Sequence, residues 1–404
     1  MEHGENAAHG SCSCPAPTAQ TSSNLSRRLL LGGGAAVGAG ALLTASGIPG
    51  AAASPAPGSR RPEPDWTGTS VVLLGTSAGP LPTFGRNMTS QAVVVDGATY
   101  VIDCGNGVVR QIVNAGIPYG SIRNLFITHL HSDHVSDYLP TVLFGRKIGP
   151  TPGFERTVDV YGPGRAGALP AGVPPAGVTP VRPSLPTPGT VDMHNGLLEA
   201  AAYTVNQMYI ASATGPDIRD LVIPHDIVLP SAPAAGPRGP FDPAMRPFAV
   251  FEDDRVKVSA TLVHHPPVFP AFAFRFDTDQ GSIVFSGDTA PSRNLIELAH
   301  GADLLVHEVQ YSQQMLAHGT PAPFVTFLRS LHTDVTELGP IAAEASVGAL
   351  ALSHIASVQL TSAYPETLSD HAWTAPIRPA YGKSVFVGQD LMRLSVVGGR
   401  VKRR

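Results

Sequence analysis

The sequence has 404 residues, of which 43% are hydrophobic and 14% are charged, a composition typical of a soluble globular protein with one large core or two closely joined domains. Its net charge of −4 gives the chain no general field that attracts a polyanion, so composition argues against RNA or DNA as a partner. The 42 glycines and 39 prolines indicate many loops.

Residues 1–53 are predicted to be an export signal that does not belong to the fold. Arg27 and Arg28 precede an uncharged Gly- and Ala-rich stretch (29–48) that ends in a run of small residues, and this order resembles a twin-arginine signal. We expect cleavage near Ala53, with no stable membrane insertion afterwards. The alternative is a weakly apolar anchor that stays attached. The predicted location is periplasmic, cell-envelope or extracellular.

The cysteines follow the same division of the chain. Cys12 and Cys14 lie in the export signal and leave with it, so Cys104 alone remains and the mature protein is predicted to have no intramolecular disulfide. Residues 54–66 are rich in proline and small residues and are predicted to be a linker. One large domain is expected over residues 67–404.

Apolar runs and turn signals predict a β-rich beginning of this domain. Asp96 and Gly97 form a favoured two-residue hairpin turn between two apolar runs. The predicted elements are strands at 69–74, 91–95, 98–102 and 124–127 and helices at 108–115 and 133–144.

Strands and helices alternate in the second half, after a long Pro- and Gly-rich stretch at 149–247 with one predicted helix near 197–211. Such a loosely patterned insertion usually forms a lid or substrate wall. The order of elements predicts an α/β fold in which two sheets pack together and helices cover their outer faces. The later elements are strands at 255–263, 271–276, 282–285, 303–306 and 349–352, helices at 294–299 and 334–345, and a strand pair near 384–397.

One short segment after the strand at 124–127 combines His129, His131, Asp133 and His134. Imidazole and carboxylate are ligands that Zn²⁺ prefers and that Mn²⁺ or Fe can use. His129 and His131, two residues apart, point the same way from an extended segment and can bind one metal, while Asp133 and His134 would face a second. The plain alternative is a polar loop that happens to be rich in histidine, but this density favours a two-metal site.

Later strands also end in residues that bind metals or transfer protons, as a site at one edge of a sheet sandwich requires. These residues are His264 and His265, Asp288, His307 and Glu308, and His354.

The order of these motifs resembles the metallo-β-lactamase superfamily, and more closely its branch that contains tRNase Z and the zinc-dependent arylsulfatases. The resemblance covers the chain from about Val71 to its end, except 149–247, and implies the αββα sandwich. The residues that carry the closer match are Gly75-Thr76, Asp103-Cys104-Gly105, residues 286–289, His307-Glu308 and His332-Thr333.

The resemblance implies two Zn²⁺ ions, with Mn²⁺ or Fe as alternatives. The implied ligands are His129, His131 and His265 for the first ion, Asp133, His134 and His354 for the second, and Asp288 as a bridge between them. His264 is the alternative to His265, because adjacent residues of a strand point to opposite faces. Asp103 is expected to orient a ligand histidine.

Glu308 and His332 resemble the tRNase Z pair that handles protons at the leaving group, and with Asp133 they are the predicted catalytic residues. The alternative for His307 is a satisfied core histidine. Histidines without a motif, such as His194, are expected at the surface.

The predicted function is that of an exported dinuclear hydrolase that directs a metal-bound hydroxide at a small anionic ester, in an arylsulfatase-like or phosphodiesterase-like reaction. Bacterial tRNase Z enzymes carry a tRNA-gripping arm between the histidine and aspartate that correspond to His265 and Asp288, and here that stretch is only long enough for a hairpin. We therefore predict a small-molecule ester substrate and no nucleic acid, and a homodimer is compatible with the sequence. The alternatives are a lactone or β-lactam hydrolase and a metal-binding protein without turnover.

Overall fold

The computed structural model describes most of the predicted domain. The described residues are 64–83, 85–147, 152–211, 216–230, 235–356 and 368–404. The predicted export signal and most of the predicted linker lie outside them, so both stay predictions. Within the described residues, no helix is long and apolar enough to cross a membrane.

The strands form two mixed sheets. In chain order they are β1 (Thr69–Gly75), β2 (Ser90–Val95), β3 (Ala98–Ile102), β4 (Ile122–Phe126), β5 (Val158–Pro163), β6 (Val222–Ile227), β7 (Phe248–Glu252), β8 (Val256–Leu262), β9 (Phe272–Thr278), β10 (Gly281–Phe285), β11 (Leu304–Gln310), β12 (Ala349–Ala356), β13 (Ser384–Val387), β14 (Met392–Val397) and β15 (Arg400–Arg403). The first sheet has the order β15-β14-β1-β2-β3-β4-β5-β6, and the second has the order β13-β12-β11-β10-β9-β8-β7.

Helices cover the outer faces of both sheets. They are α1 (Val108–Asn114), α2 (Ser132–Val135), α3 (Tyr138–Gly145), α4 (Thr190–Ala200), α5 (Ala202–Ala211), α6 (Ile218–Leu221), α7 (Arg293–Ala299), α8 (Ser312–Ala317), α9 (Ala322–Arg329), α10 (Val335–Glu344) and α11 (Asp370–Thr374). Helices α1, α3 and α4 pack on the first sheet, and α7, α10 and α11 pack on the second. The predicted arrangement of two packed sheets with helices outside is confirmed.

Strand β1 shows why the strands are apolar throughout. Val71 and Leu73 point into the core between the sheets, whereas Val72 and Leu74 point towards the outer helices. Because side chains alternate along a strand, a sheet covered on both faces buries every residue of its central strands. The continuous apolar runs in the sequence follow from this burial.

The parallel part of the second sheet defines the edge at which the polar residues meet. Strands β10, β11 and β12 run parallel, so their carboxyl ends lie at the same edge. The loop after β4 of the first sheet reaches this edge, where the Phe272 backbone N–H donates to the Thr128 carbonyl at 3.0 Å. Segments from both sheets therefore converge there.

Two predicted elements differ from the structure. The predicted helix at 133–144 is divided into α2 and α3, because the Asp137 backbone N–H donates to Cys104 and the Asp137 carboxylate accepts from the Gly107 N–H at 2.8 Å. The two strands predicted near 384–397 are present, but they do not pair with each other. Strand β13 pairs with β12 in the second sheet, and β14 pairs with β1 in the first.

The interpretation of 149–247 as wholly an insertion is also wrong. Strands β5 and β6 lie in this stretch and extend the first sheet in parallel beyond β4. Their short apolar patterns are interrupted by proline and glycine, which weakens the periodic signal. The remaining part consists of loops with α4, α5 and α6.

Candidate active site

The segment after β4 places four of the predicted residues together. His129 is fully buried, and His131 stands just before α2 and is exposed. Asp133 and His134 are buried residues of α2 itself. The helix is held to the first sheet by the Cys104 N–H, which donates to the His134 carbonyl at 2.7 Å.

His354 reaches the site through an irregularity in β12. The register between β11 and β12 pairs Glu308 with Ser353 and then Val309 with Ile355, so His354 is an extra residue with no partner in that ladder. Its φ of 43° lies in the left-handed region, which is strained for a histidine. Such a bulge turns a side chain away from the regular alternation, here towards Asp133 and Asp288.

Asp288 follows β10 after Gly287, whose φ is 59°. A Cβ at Gly287 would lie 2.5 Å from the Phe272 carbonyl oxygen, so glycine is required where this loop passes β9. The loop is also fixed by the Thr289 N–H, which donates to the Glu308 carboxylate at 2.9 Å.

The structure brings the predicted ligands into two sets that share Asp288. The first ligand set is His129, His131, His265 and Asp288, and the second ligand set is Asp133, His134, Asp288 and His354. Within each set, one donor atom from every residue lies within 4.8 Å of the others.

Asp288 is the centre of the second ligand set. Its carboxylate lies 3.3 Å from His134 Nε2 and 3.2 Å from His354 Nε2. Asp133 Oδ2 also lies 3.2 Å from His354 Nε2. On the side of the first ligand set, His129 Nε2 and His265 Nε2 lie 3.8 and 3.9 Å from Asp288 Oδ2. One carboxylate is thus shared, as two neighbouring cations require.

The structure separates the two adjacent histidines. His265 is buried and turns Nε2 into the first ligand set, while its Nδ1 lies 3.0 Å from the Leu331 carbonyl. His264 points elsewhere and contacts Asp242 at 2.7 Å through Nδ1. His265 therefore lies with the predicted ligands, and His264 does not.

The donor atoms fit divalent cations. Among the described residues, the buried atoms His129 Nε2, His134 Nε2 and Asp288 Oδ1 have no hydrogen-bond partner. Unsatisfied buried polar atoms are costly and are rare in folded proteins. A cation between these atoms satisfies them, and imidazole with carboxylate is a donor set suited to Zn²⁺.

The pKa values of the histidines agree with this fit. Burial lowers the pKa of His129 well below its ordinary value and that of His265 to about 3, so both rings are neutral. Burial opposes protonation of His134 and His354, but the neighbouring carboxylates, Asp288 and Asp133 among them, together outweigh it and raise both pKa values. A histidine must lose its proton to bind a metal, so cation binding at these two rings competes with protonation and is expected to weaken at low pH.

Asp103 holds one ligand ring in place. Its Oδ2 lies 2.8 Å from His134 Nδ1, and its Oδ1 accepts from the Thr128 backbone N–H at 2.8 Å. The φ of Asp103 is 58°, a conformation that aspartate tolerates better than most residues. A carboxylate behind a ligand histidine fixes the tautomer and raises the basicity of the facing nitrogen.

Glu308 and His332 form a pair at the border of the site. His332 Nδ1 lies 2.9 Å from Glu308 Oε1 and 4.0 Å from Asp288 Oδ2. Burial opposes protonation of His332, but the charge and hydrogen bond of Glu308 outweigh it and raise the pKa of His332 to about 9. His332 is therefore a charged hydrogen-bond donor at neutral pH.

His307 is fully buried with Nδ1 2.7 Å from the Glu308 carbonyl.

A cavity of about 310 Å³ opens over the second ligand set and reaches His332. We call it the first cavity. Its apolar wall includes Met315 on α8 and Phe324 and Leu328 on α9, which the sequence analysis did not identify. The spacing of Phe324, Phe327 and Leu328 is that of one face of a helix and could have indicated α9, although not its position beside the metal ligands.

The amino-terminal part of the domain matches a known family. The family model described as anti-Pycsar protein Apyc1 matches residues 69–145. Ribonuclease Z from Mycolicibacterium gilvum is 28% identical over 332 residues, which cover 81% of this chain and 96% of that protein. Ribonuclease Z from Mycobacterium avium is 28% identical over 326 residues, which cover 81% and 98%.

Solved structures show the same fold. Human tRNase Z, short form, is 18% identical with a TM-score of 0.51 and coverage of 81% of this chain and 99% of that chain. Zn²⁺-bound PqqB from Methylobacterium extorquens is 15% identical, with a TM-score of 0.51 and coverage of 81% and 99%. The chain has the metallo-β-lactamase fold. Its predicted resemblance to the tRNase Z-like branch is confirmed, and its similarity to ribonuclease Z and tRNase Z supports a metal-dependent hydrolase of this fold.

The comparisons correct one prediction about this metallo-β-lactamase-fold protein. We expected no nucleic-acid partner, yet relatives over 81% of the chain are named as ribonucleases, so that exclusion is wrong. The net charge of −4 describes the whole chain and does not report the local field at a site. The absence of an arm between His265 and Asp288, where β9 and β10 form the expected hairpin, does not restore the exclusion.

Proposed function

We propose that this protein hydrolyses phosphodiesters with two divalent cations, most simply Zn²⁺, held by the first and second ligand sets. The observation that carries the proposal is the place of His332. A charged donor lies 4.0 Å from Asp288, the carboxylate shared by both sets, and it lines the same cavity as Asp133 and His354. A proton donor is thus available where an ester oxygen would depart.

The reaction needs one bond made, one bond broken and one proton delivered. When bound, the two cations supply a water molecule of lowered pKa as the nucleophile and offset negative charge on the phosphate. The water oxygen bonds to phosphorus and the bond from phosphorus to the leaving oxygen breaks. His332 donates a proton to that oxygen, and Glu308 keeps His332 charged and oriented. Asp133 is assigned to the second ligand set and is expected to contribute to catalysis through it.

A graded series of leaving groups tests this role. Glu308→Gln and His332→Ala should cost little with 4-nitrophenolate, which leaves as an anion, and about 10²–10⁴-fold in kcat/KM with an alkoxide, which needs a proton. Both variants should keep their metal content. An equal loss across the series would show that the pair has only a structural role. Sulfate esters, a lactone and a cephalosporin in the same assay test the arylsulfatase-like and carbonyl alternatives.

RNA is a second candidate substrate, favoured by the ribonuclease Z relatives. RNA is itself a phosphodiester, so the same site could act on it. We would incubate the zinc-loaded protein with a labelled tRNA transcript and compare Asp288→Ala, which should be inactive. Cleavage by the wild type alone supports RNA as a substrate. No cleavage under conditions where a chromogenic diester is hydrolysed would rule this transcript out.

Export is also proposed, from Arg27 and Arg28. Lys at both positions keeps the charge but should retain the full-length precursor inside the cell, because the twin-arginine pathway reads the arginines through a receptor. Normal secretion of the double-Lys variant would indicate another route.

A further inference from the structure

A second cavity of about 200 Å³ lies on the other side of the metal ligands. It shares His131, the exposed residue of the first ligand set, with the first cavity. Its walls come from the loop after β5, from residues 187–188, from Pro237 and from the turn at 267–270. Most of these segments belong to the stretch 149–247, which was predicted to form a lid or a substrate wall.

The walls of the second cavity are apolar and poor in hydrogen-bond donors. Six of the lining residues are prolines, and proline has no backbone N–H. Leu130, Val268 and Phe269 add apolar surface, and among the described residues that line the cavity none is Lys, Arg, Asp or Glu. Such a wall does not satisfy hydroxyl groups or a second phosphate, whereas it suits a hydrocarbon group.

The size of the second cavity limits its occupant. In another protein an apolar cavity of about 150 Å³ binds benzene, while pockets for larger ligands measure roughly 300–1,000 Å³. A cavity of about 200 Å³ therefore suits one six-membered ring. Proline residues are rigid, so the cavity wall loses little conformational entropy when the ring binds.

We infer that the second cavity binds an apolar ring on the ester arm that stays attached to phosphorus. This inference rests on the proposed phosphodiester function and names its substrate class, a diester with an aryl substituent. His332 lines the first cavity and not the second, so the leaving arm lies in the first cavity with the proton donor, against Met315 and Phe324. The retained arm then passes His131 into the second cavity.

Filling each cavity separately tests the assignment. Ala168 lines the second cavity and Ala356 lines the first, and both are partly exposed. In the zinc-loaded wild type, phenyl 4-nitrophenyl phosphate should exceed methyl 4-nitrophenyl phosphate about 10- to 100-fold in kcat/KM, the range for one apolar group in a fitting pocket. Ala168→Phe should abolish this preference for phenyl. Ala356→Phe should reduce both rates and keep the preference.

Binding without turnover gives a second measurement. Phenylphosphonate carries its ring directly on phosphorus and should bind the zinc-loaded wild type more tightly than methylphosphonate, by calorimetry, with the preference lost in Ala168→Phe and kept in Ala356→Phe. Ala166→Phe, in the same wall, replaces Ala168→Phe if that variant does not fold. No hydrolysis of either diester would overturn the phosphodiester function. A preference for phenyl that survives filling of the second cavity would overturn this inference alone.

Discussion

Three buried ligand histidines each contact a different group through Nδ1, the ring nitrogen that faces away from the ligand sets. Asp103 Oδ2 holds His134 Nδ1 at 2.8 Å, the Leu331 carbonyl holds His265 Nδ1 at 3.0 Å, and Thr128 Oγ1 lies 3.2 Å from His129 Nδ1. These contacts leave Nε2 of each ring directed at the site.

Asp103 is the charged member of these outer contacts, and its charge should matter for metal affinity. Asp103→Asn keeps the size of the side chain but weakens the polarisation of His134, so zinc affinity at the second ligand set should fall about 10- to 100-fold. Competition with a chromogenic chelator measures this loss. Asp242→Asn is the matched control, because Asp242 contacts His264, which lies outside both ligand sets. Equal affinities of Asp103→Asn and wild type would contradict the role.

The residue pattern predicted which residues form the site better than it predicted where the other histidines lie. The dense segment from His129 to His134 and most of the residues at the later strand ends do come together, because the strand ends meet at one edge of the sheets. The choice between His264 and His265 could not be made from sequence, since it depends on which face of the strand looks inward. His194 was expected at the surface, but it is buried beneath Tyr138.

The sequence predicts the strands well and their irregularities poorly. The apolar run of β12 is evident, yet the bulge that turns His354 inward depends on its register with β11. Strands β5 and β6 were missed for a similar reason, because their place is fixed by pairing beyond β4 and not by their own pattern. Between β13 and β14, Asp390 accepts hydrogen bonds from the backbone N–H groups of Thr76 and Asn87, and contacts between residues so distant in sequence leave no local pattern.

The loop after β1 packs directly on the second ligand set, and Gly79 is its point of contact. A Cβ at Gly79 would lie 2.3 Å from Asp133 Cγ, so Gly79→Ala should displace Asp133 and lower zinc occupancy from two ions towards one. Elemental analysis of the purified protein measures occupancy. Gly382→Ala is the control, because a Cβ there meets nothing within 4 Å. Full zinc occupancy in Gly79→Ala would show that the loop can move away without displacing Asp133.

The contact between α3 and α4 should make stability depend on pH. Tyr138 Oη lies 2.8 Å from His194 Nδ1, and burial lowers the pKa of His194 to about 4. In the unfolded chain a histidine titrates near 6.5, so the contribution is complete above that pH. It is lost as the pH falls from about 6.5 to 4, by up to about 3 kcal/mol.

Urea unfolding between pH 7 and 4 measures this effect. His194→Gln should flatten the decline relative to the wild type, even if its stability at pH 7 is lower. His371→Gln, which changes an exposed histidine of α11, should decline as the wild type does. Parallel curves for His194→Gln and wild type would assign the acid sensitivity to other groups, such as the ligand histidines.

The fold was predictable because the sequence features that determine it occur many times along the chain. Continuous apolar strands, the hairpin turn at Asp96 and Gly97, and polar residues at strand ends all indicate the same sandwich. Net charge could not decide whether nucleic acid is a partner, because that quantity averages over 404 residues whereas recognition depends on the surface around one site.

The metal site should stabilise the whole fold, because its ligands join segments of both sheets. His129, Asp133 and His134 follow β4 of the first sheet, whereas Asp288 and His354 belong to the second. Cations that bind only the folded chain stabilise it by about 2.7 kcal/mol at a free concentration 100-fold above Kd. For a domain of this size such a gain raises Tm by roughly 3–5 °C per ion.

Calorimetry of zinc-loaded and chelator-treated protein measures the difference, with two ions per chain expected in the loaded sample. Asp288→Ala removes the carboxylate shared by both ligand sets, so its Tm should be low and should not respond to zinc. His264→Ala changes a neighbouring histidine that faces Asp242 and should respond as the wild type does. If the loaded and treated proteins unfolded at the same temperature, the cations would not be part of the folded framework and the two-ion assignment would have to be abandoned.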